Sequence, residues 1–378
     1  MLHAAVTPES SRQHLAFIHG LRGVAALLVV WAHLGSVWLA TNHEPSILDV
    51  AYARLIVEPF RVFQNGGHLG VIIFFLVSGF IITYTSMRED RTSFAVKRIL
   101  RLGPPLAVAL VVCWLYVQIA HHYGSEPISV NDGGLRHWLS ALFLLDGFHG
   151  DYVLGVTWTL SIEVIFYAMT FVLLGLTRRN PERSTWVLTG LWAVFTVLQA
   201  AVPPLRGSAF VSLPPYVGFL LVGRCIYLWR AELIRPIVAA LNATLALVFF
   251  ATFTERLLPG QLFGPRILPD AAPYYSYIYA LVIFLGLMAA APKRTIQPFT
   301  MLGDVSYSLY LLHIPVGFAV FEITAGSAIP NEVVTLIAIA AAIAAAWVSY
   351  RLVERPSQRL ARRLLRHRTR RVVDVPAA

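Results

Sequence analysis

Charged residues are scarce in this sequence. Asp, Glu, Lys and Arg make up 13% of its 378 residues, whereas an ordinary soluble domain carries about 25%. So few charges cannot cover the surface of a soluble globule of this length. Hydrophobic residues make up 57% of the chain, and its mean hydropathy is +0.66. The composition therefore excludes a soluble enzyme, a secreted disulfide scaffold and a disordered chain. It indicates an all-α, polytopic membrane protein.

Cysteine and the common catalytic motifs are also lacking. The only two cysteines, Cys113 and Cys225, lie inside long apolar runs, so they form neither a disulfide framework nor the spacing of a zinc site. The sequence contains no HExxH motif, no glycine-rich phosphate loop and no nucleophile elbow for a Ser-His-Asp triad. We therefore expect no bound metal and no bound cofactor.

Apolar runs of membrane length are abundant. A transmembrane helix needs about 20 mostly apolar residues, and the chain has ten such runs. We predict spans at 20–40, 69–86, 104–122, 158–176, 185–202, 210–229, 237–254, 274–291, 302–325 and 333–352. A shorter run at 138–148 contains an aspartate and is expected to lie at the membrane interface. These boundaries divide the chain into an N-terminal segment (1–19), a transmembrane domain (20–352) and a basic tail (353–378).

The basic residues predict the orientation of these spans. With the N-terminus in the cytoplasm, 23 of the 30 Lys and Arg residues lie on the cytoplasmic side and 6 on the opposite side. Such a bias is the positive-inside signal, so we predict that both termini are cytoplasmic. Nine of the 23 lie between Arg351 and Arg371, at the end of the last span and in the tail that follows it. Attraction to anionic membrane lipids explains this cluster, and we expect no nucleic-acid partner.

Ionisable residues inside predicted spans are functional candidates, because each costs about 2.5–3.5 kcal/mol near the bilayer centre on insertion scales. Arg22 and His33 are eleven residues apart in the first span, which places them on one helix face about 16 Å apart. An arginine there suits a phosphate-bearing ligand, and a histidine suits base chemistry near neutral pH. The alternative is a positive-inside anchor and a hydrogen-bonded core histidine.

Four other residues in the spans have similarly open interpretations. Glu163 could orient an imidazole or could hydrogen-bond a neighbouring aromatic residue. Asp304 and His313 are nine residues apart and so lie on different faces of one helix. Ser78, next to Gly79, is more typical of close helix packing than of substrate contact.

A pair of arginines precedes the third span. Arg98 and Arg101 are three residues apart, so both project from one helix face on the predicted cytoplasmic side. That position fits an anionic lipid and a nucleotide phosphate equally well.

Six sequence blocks, taken in this order, resemble the membrane-bound acyltransferase type 3 family, which O-acylates sugars and related hydroxyl compounds. The blocks are FIHGLRGVAALLVVWAH, HLGVIIFFLVSGFIIT, KRILRLGP, WTLSIEVIFY, LGDVSYSLYLLHIPV and VERP, between residues 17 and 356. The signature of the family is Arg-x10-His, which falls here on Arg22 and His33. One departure is His19, which stands where the family usually has an acidic residue.

The resemblance implies a ten-helix acyltransferase core that uses acyl-coenzyme A, most simply acetyl-coenzyme A, as a co-substrate. Arg22, Arg98 and Arg101 would then bind the donor, His33 would serve the acyl transfer, and Glu163 would support the active site. Some family members carry an additional esterase-like domain at the C-terminus, and we expect it to be absent here.

Two functional hypotheses follow. The first is an integral protein of a bacterial inner membrane that transfers an acetyl or short acyl group to a saccharide hydroxyl, in a surface glycan, lipopolysaccharide or exopolysaccharide precursor. The second is a proton-coupled transporter or flippase in which His33, Glu163 and His313 relay protons. Transporters often show paired repeats, and the sequence has no such internal symmetry.

Overall fold

The computed structural model describes residues 8–44, 46–149, 152–201, 214–252, 273–290 and 297–373. These residues form α-helices joined by short 3₁₀ and π turns, with one isolated antiparallel bridge between Val130 and Leu154. The predicted all-α class is therefore confirmed for the described part of the chain.

The α-helices of these residues begin and end as follows. In chain order they are α1 (Pro8–Ala32), α2 (Trp38–Thr41), α3 (Ile47–Tyr52), α4 (Glu58–Phe60), α5 (Gly67–Ser86), α6 (Arg91–His122), α7 (Leu135–Leu142), α8 (Trp158–Val172), α9 (Leu174–Arg179), α10 (Pro181–Ala201), α11 (Val217–Arg230), α12 (Pro236–Thr252), α13 (Pro273–Ala290), α14 (Gln297–Thr324), α15 (Asn331–Ser349) and α16 (Arg355–Val373).

In the described part of the chain, five helical stretches are long and apolar enough to cross a membrane. They are Phe17–Thr41, Phe63–Ser86, Arg91–His122, Phe299–Thr324 and Asn331–Leu365. Helices α8, α12 and α13 supply shorter apolar stretches. Each of the ten predicted spans overlaps a helix, but ten crossings and the side of each terminus stay predictions. Helix α7 has only eight residues, which agrees with an interfacial piece in this region.

The first and the last of these stretches each contain a π turn. One, at His33–Val37, joins α1 to α2. The other, at Tyr350–Glu354, joins α15 to α16, so the helix continues across the domain boundary predicted at residue 352. A π turn places an extra residue in one helical turn and is frequent at functional sites. Here one begins at His33 and the other ends at Glu354.

Glycines bring the central helices α1 and α14 unusually close together. A β-carbon added to Gly23 would overlap the carbonyl oxygen of Phe299, and one added to Gly303 would overlap that of His19. Small residues at crossing points let two helix backbones approach each other in this way. The close crossing positions one face of α1 against α14 along the length of both helices.

A second close crossing joins α5 to α11. Gly79 packs on the backbone of Leu220, and Gly223 packs on the backbone of Leu76. This contact agrees with the packing interpretation of the Ser78–Gly79 pair. Because α5 also packs against α1 and α8, it forms one wall between the central helices and the rest of the bundle.

Candidate active site

An elongated pocket lies between helices α1, α5, α6, α8 and α14. Its volume is about 680 Å³, counting the open mouth. The lining residues of α5 run from Val71 to Ile82, which corresponds to about 16 Å along the helix axis. Most of the wall is apolar. The polar side chains that line it are Arg22, Ser78, Arg101, Thr159, Glu163, Ser306, Tyr307 and Tyr310.

The two arginines of the pocket are Arg22 of α1 and Arg101 of α6. Neither guanidinium makes a hydrogen bond or an ion pair with any residue that the structure describes. The carboxylates of Glu163 and Glu354 interact electrostatically with both guanidinium groups. Two cations that face a pocket without a hydrogen-bonded carboxylate form a site for an anion.

Glu163 lies on the wall of the same pocket and is held by two hydroxyl groups. Ser78 Oγ donates to Glu163 Oε1 at 3.2 Å, and the hydroxyl of Tyr167 donates to the same oxygen at 2.5 Å. The structure therefore brings together Arg22, Ser78, Arg101 and Glu163. Both hydroxyl groups bond to Oε1, and Oε2 has no hydrogen-bond partner within the described ranges.

Glu354 was not predicted as a site residue, although it lies in the VERP block. Its side chain is buried, with 3% of its surface exposed, because the π turn at the end of the last span directs it inward. Ser308 Oγ of α14 donates to Glu354 Oε2 at 2.8 Å. A glutamate directly after an apolar run, at a point where basic residues predominate, is the sequence signal that could have identified it.

The predicted catalytic His33 lies beside His313. Nε2 of His313 is 3.3 Å from Nδ1 of His33, and the two ring centroids are 5.0 Å apart. Nδ1 of His33 is also 2.8 Å from the carbonyl oxygen of Val29. Within the described residues, Glu163 makes no hydrogen bond to His33. The polar side chain beside the His33 imidazole is thus the imidazole of His313 and not the carboxylate of Glu163.

Tyr310 connects the histidine pair to the pocket. It lines the pocket, and its ring centroid is 6.0 Å from that of His313, one turn further along α14. Its hydroxyl lies 2.8 Å from Thr159 Oγ1 and donates to the carbonyl oxygen of Val156 at 3.1 Å. The pair therefore lies next to the end of the pocket where α14 presents Tyr310. Sequence reasoning had no reason to single out Tyr310 among the other tyrosines.

Two further candidates lie away from the pocket lining. Arg98 is buried, but its guanidinium hydrogen-bonds to Thr85 and lies 3.7 Å from a carboxylate oxygen of Glu89. Asp304 is exposed and faces His19 of α1, with 3.4 Å between Oδ1 and Nδ1. Neither side chain lines the pocket. In the described part of the chain, no group of three or more His, Cys, Asp or Glu residues is arranged to hold a metal ion.

The chain belongs to the acyltransferase type 3 family, whose domain model matches residues 15–351. This finding confirms the resemblance carried by the six sequence blocks, and it places the chain in a class of transferase enzymes. The match covers all five helices that line the pocket.

Named relatives come from several bacteria. The peptidoglycan O-acetyltransferase OatA of Listeria monocytogenes is 24% identical over 93% of this chain and 57% of its own length. The O-acetyltransferase OatA of Staphylococcus aureus is 23% identical over 92% of the chain and 57% of its own length. A protein of Komagataeibacter xylinus named as a membrane-bound transacylase, BcsY, is 27% identical over 79% of the chain and 72% of its own length.

The chain thus spans little more than half the length of the OatA relatives. No solved structure matches it significantly. The helical stretches and the named relatives together support an integral membrane protein.

Proposed function

We propose that this protein is an integral membrane O-acyltransferase that moves an acetyl or other short acyl group from acyl-coenzyme A to a hydroxyl group of a saccharide. The observation that carries the proposal is the pair Arg22 and Arg101, two guanidinium groups at one pocket that make no hydrogen bond to any residue the structure describes. Membership of the acyltransferase family favours acyl transfer over the alternative of proton-coupled transport.

The shape of the pocket supports a coenzyme A thioester as the donor. Coenzyme A has phosphates at one end and a long, mostly uncharged arm that ends in the thioester. Arg22 and Arg101 would bind the phosphates, because guanidinium groups pair with phosphate oxygens. The apolar wall formed by α5 would hold the arm, and Tyr310 would lie near its reactive end. Arg98 would contribute less than the other two, since Glu89 and Thr85 already bind it.

His33 would perform the transfer as a general base. Its free ring nitrogen would remove the proton from the acceptor hydroxyl while the oxygen attacks the thioester carbonyl. The carbon–sulfur bond then breaks, the ester remains on the saccharide, and the coenzyme A thiolate takes the proton from the imidazolium. A variant of this step, in which His33 carries the acyl group transiently, uses the same residue.

The topology proposed for this reaction has ten transmembrane helices with both termini in the cytoplasm of a bacterium. The predicted excess of basic residues on one side supports it, since 23 Lys and Arg residues lie on that side and 6 on the other. In this arrangement Arg22 and Arg101 meet a cytoplasmic donor, and the protein resides in the inner membrane.

The proposed acceptor is a glycan of the cell surface or a lipid-linked precursor of one. The name of the Listeria relative refers to peptidoglycan, which makes an N-acetylated glycan a reasonable first acceptor to test.

A direct test replaces His33. The variant H33A, in isolated membranes supplied with radiolabelled acetyl-coenzyme A, should incorporate about 10²- to 10⁴-fold less label into extracted glycan than wild type, because loss of a general base typically costs that much. H122A is the matched control, since His122 is an exposed histidine at the end of α6. It should label glycan at the wild-type rate.

Two results would contradict the proposal. Incorporation by H33A at the wild-type rate would remove His33 from the reaction. Absence of label on any glycan with wild-type membranes, together with histidine-dependent proton movement, would instead support the transporter.

A further inference from the structure

The hydrogen bonds of His313 determine which of its nitrogens carries a proton. Nδ1 is 2.8 Å from the carbonyl oxygen of Tyr310 and 3.2 Å from that of Leu309. A carbonyl oxygen can only accept a hydrogen bond, so Nδ1 of His313 must be the donor. In a neutral ring the other nitrogen, Nε2, then has a free lone pair. That lone pair faces His33.

The same reasoning applies to His33. Its Nδ1 lies 2.8 Å from the carbonyl oxygen of Val29, which again can only accept. The hydrogen on Nδ1 therefore has two acceptors, the Val29 carbonyl and Nε2 of His313 at 3.3 Å. With the proton on Nδ1, the basic nitrogen of His33 is Nε2.

The two rings differ in access. His313 is completely buried, with 0% of its surface exposed, whereas His33 is only partly buried. Nε2 of His33 makes no hydrogen bond to any part of the chain that the structure describes. An inner ring thus holds an outer ring whose reactive nitrogen remains available to a substrate.

We propose that His313 is the positioning residue of His33, in the place that a carboxylate occupies in many base–orienter pairs. This inference builds on the proposed acyltransferase function. His313 accepts from Nδ1–H of His33 together with the Val29 carbonyl; the two acceptors favour the tautomer with a basic Nε2, and His313 fixes the plane of the ring. Glu163 does not take this role in the observed geometry, because within the described residues neither of its carboxylate oxygens makes a hydrogen bond to His33.

The pair also stabilises the charged state of the reaction. When Nε2 of His33 takes the proton of the acceptor hydroxyl, His33 becomes an imidazolium and its Nδ1–H bonds become stronger. The lone pair of His313 and the carbonyl of Val29 face that positive charge. The proton on Nε2 then returns to the leaving thiolate, and His33 regains its neutral tautomer with no net change at His313.

Two substitutions at position 313, with side chains of equal length, distinguish the loss of a hydrogen-bond acceptor from the loss of packing. Glutamine at position 313 can place an amide oxygen near the position of Nε2, whereas methionine fills similar space without a comparable acceptor. With purified protein in nanodiscs, acetyl-coenzyme A and glycan oligosaccharides, H313M should lower kcat about 10²-fold or more. H313Q should retain kcat within about tenfold of wild type. The KM for acetyl-coenzyme A should stay unchanged in both, since His313 does not line the donor pocket.

Equal kcat values for H313M and wild type would overturn the inference. If H313M fails to fold, as judged by its thermal melt, the comparison moves to H313N. Asparagine is too short to reach His33, so H313N should be as slow as predicted for H313M while H313Q remains active. Equal rates for H313N and H313Q would overturn the positioning role.

A spectroscopic test does not depend on catalysis. In protein labelled with ¹⁵N-histidine, the His33 signals, assigned by their loss in H33A, should show a protonated Nδ1 and an unprotonated Nε2. The Nδ1 signal should shift in H313M and stay near its wild-type position in H313Q. The opposite tautomer in wild type would overturn the inference even if the enzyme proves active. Lack of glycan acetylation by wild type would reject the proposed function separately.

Discussion

Arginines lie inside the helical bundle in two regions of this molecule, and their surroundings differ: the pocket arginines are partly buried, whereas Arg224 is completely buried. In the pocket region, Arg22 and Arg101 face a cavity and make no hydrogen bond to the described residues. In the second region, Arg224 of α11 is completely buried, with 0% exposed, against α9 and α10. Its guanidinium donates to Ser184 at 2.6 Å and to Thr177 and Thr185 at 3.4 Å each.

The contrast teaches how to separate a binding cation from a packing cation. Arg224 has three hydroxyl partners, although its Nη1 has none within the described ranges, and it does not line the pocket. A buried charge needs hydrogen bonds to offset the loss of water, and Arg224 obtains most of them from its neighbours. Arg22 and Arg101 obtain none from the residues that the structure describes, so their donors are available to a ligand in the pocket.

We expect the largest effect on activity when one of the two pocket arginines is replaced. R22M and R101M should each lower kcat/KM for acetyl-coenzyme A by roughly 10- to 150-fold, because a hydrogen bond to a charged group contributes about 1.5–3 kcal/mol. Most of the loss should appear in KM, since the arginines would hold a part of the donor that does not react. Steady-state kinetics of purified protein would measure it.

R98M is the matched control for R101M. Both arginines lie on α6 three residues apart, but Arg98 is paired with Glu89. We expect R98M to change KM much less than R101M and to lower the melting temperature instead. A larger kinetic effect for R98M than for R101M would show that the donor phosphates lie outside the pocket.

Substitution of Arg224 should have a smaller effect, confined to stability. R224K keeps a buried charge but cannot reach three hydroxyl groups, so it should destabilise the protein by about 1–3 kcal/mol. R224M should cost less than R224K, because the Ser184 and Thr185 hydroxyls already donate to the carbonyl of Pro181. Thermal melts would rank the variants, and kcat/KM should stay within about twofold of wild type for this distant site. A fall in kcat/KM with unchanged melting would contradict the comparison.

Much of the fold could be predicted from hydropathy alone. Each predicted span overlaps a helix, because long apolar runs in a membrane have to satisfy their backbone groups within the helix. Spacing also predicts that Arg22 and His33 share one helix face; in the structure α1 ends at Ala32, and His33 begins the π turn that follows it. The end of the last span was not predictable in this way, because the π turn at Tyr350–Glu354 lets the helix continue into the basic tail.

The contacts between helices were harder to predict. His33 and His313 are 280 residues apart in the chain, and they meet because α1 and α14 cross closely at Gly23 and Gly303. No local pattern specifies which two helices will cross. The spacing of Arg98 and Arg101 indicated equivalent roles, yet the turn before α6 brings Glu89 to Lys97 and Arg98, and neither of these ion pairs includes Arg101.

The smallest effect is expected at an exposed arginine that is fully paired. Arg235 Nε lies 3.0 Å from Glu182 Oε1, and 72% of the arginine side chain is exposed. Exposed ion pairs contribute little to stability, so E182Q should leave glycan acetylation unchanged and lower the melting temperature only slightly at neutral pH.

The pH dependence of that small difference distinguishes the ion pair from packing. Hydrogen bonds from Arg235 hold the pKa of Glu182 below its usual value. A carboxyl whose pKa is lowered by folding stabilises the protein above its unfolded pKa, and this contribution is lost as the pH falls through the folded value. The difference in melting temperature between E182Q and wild type should therefore shrink on acidification. A difference that persists at low pH would mean that Glu182 contributes through packing. The ion pair with Glu182 would then no longer distinguish Arg235 from Arg22 and Arg101, which make no ion pair with the described residues.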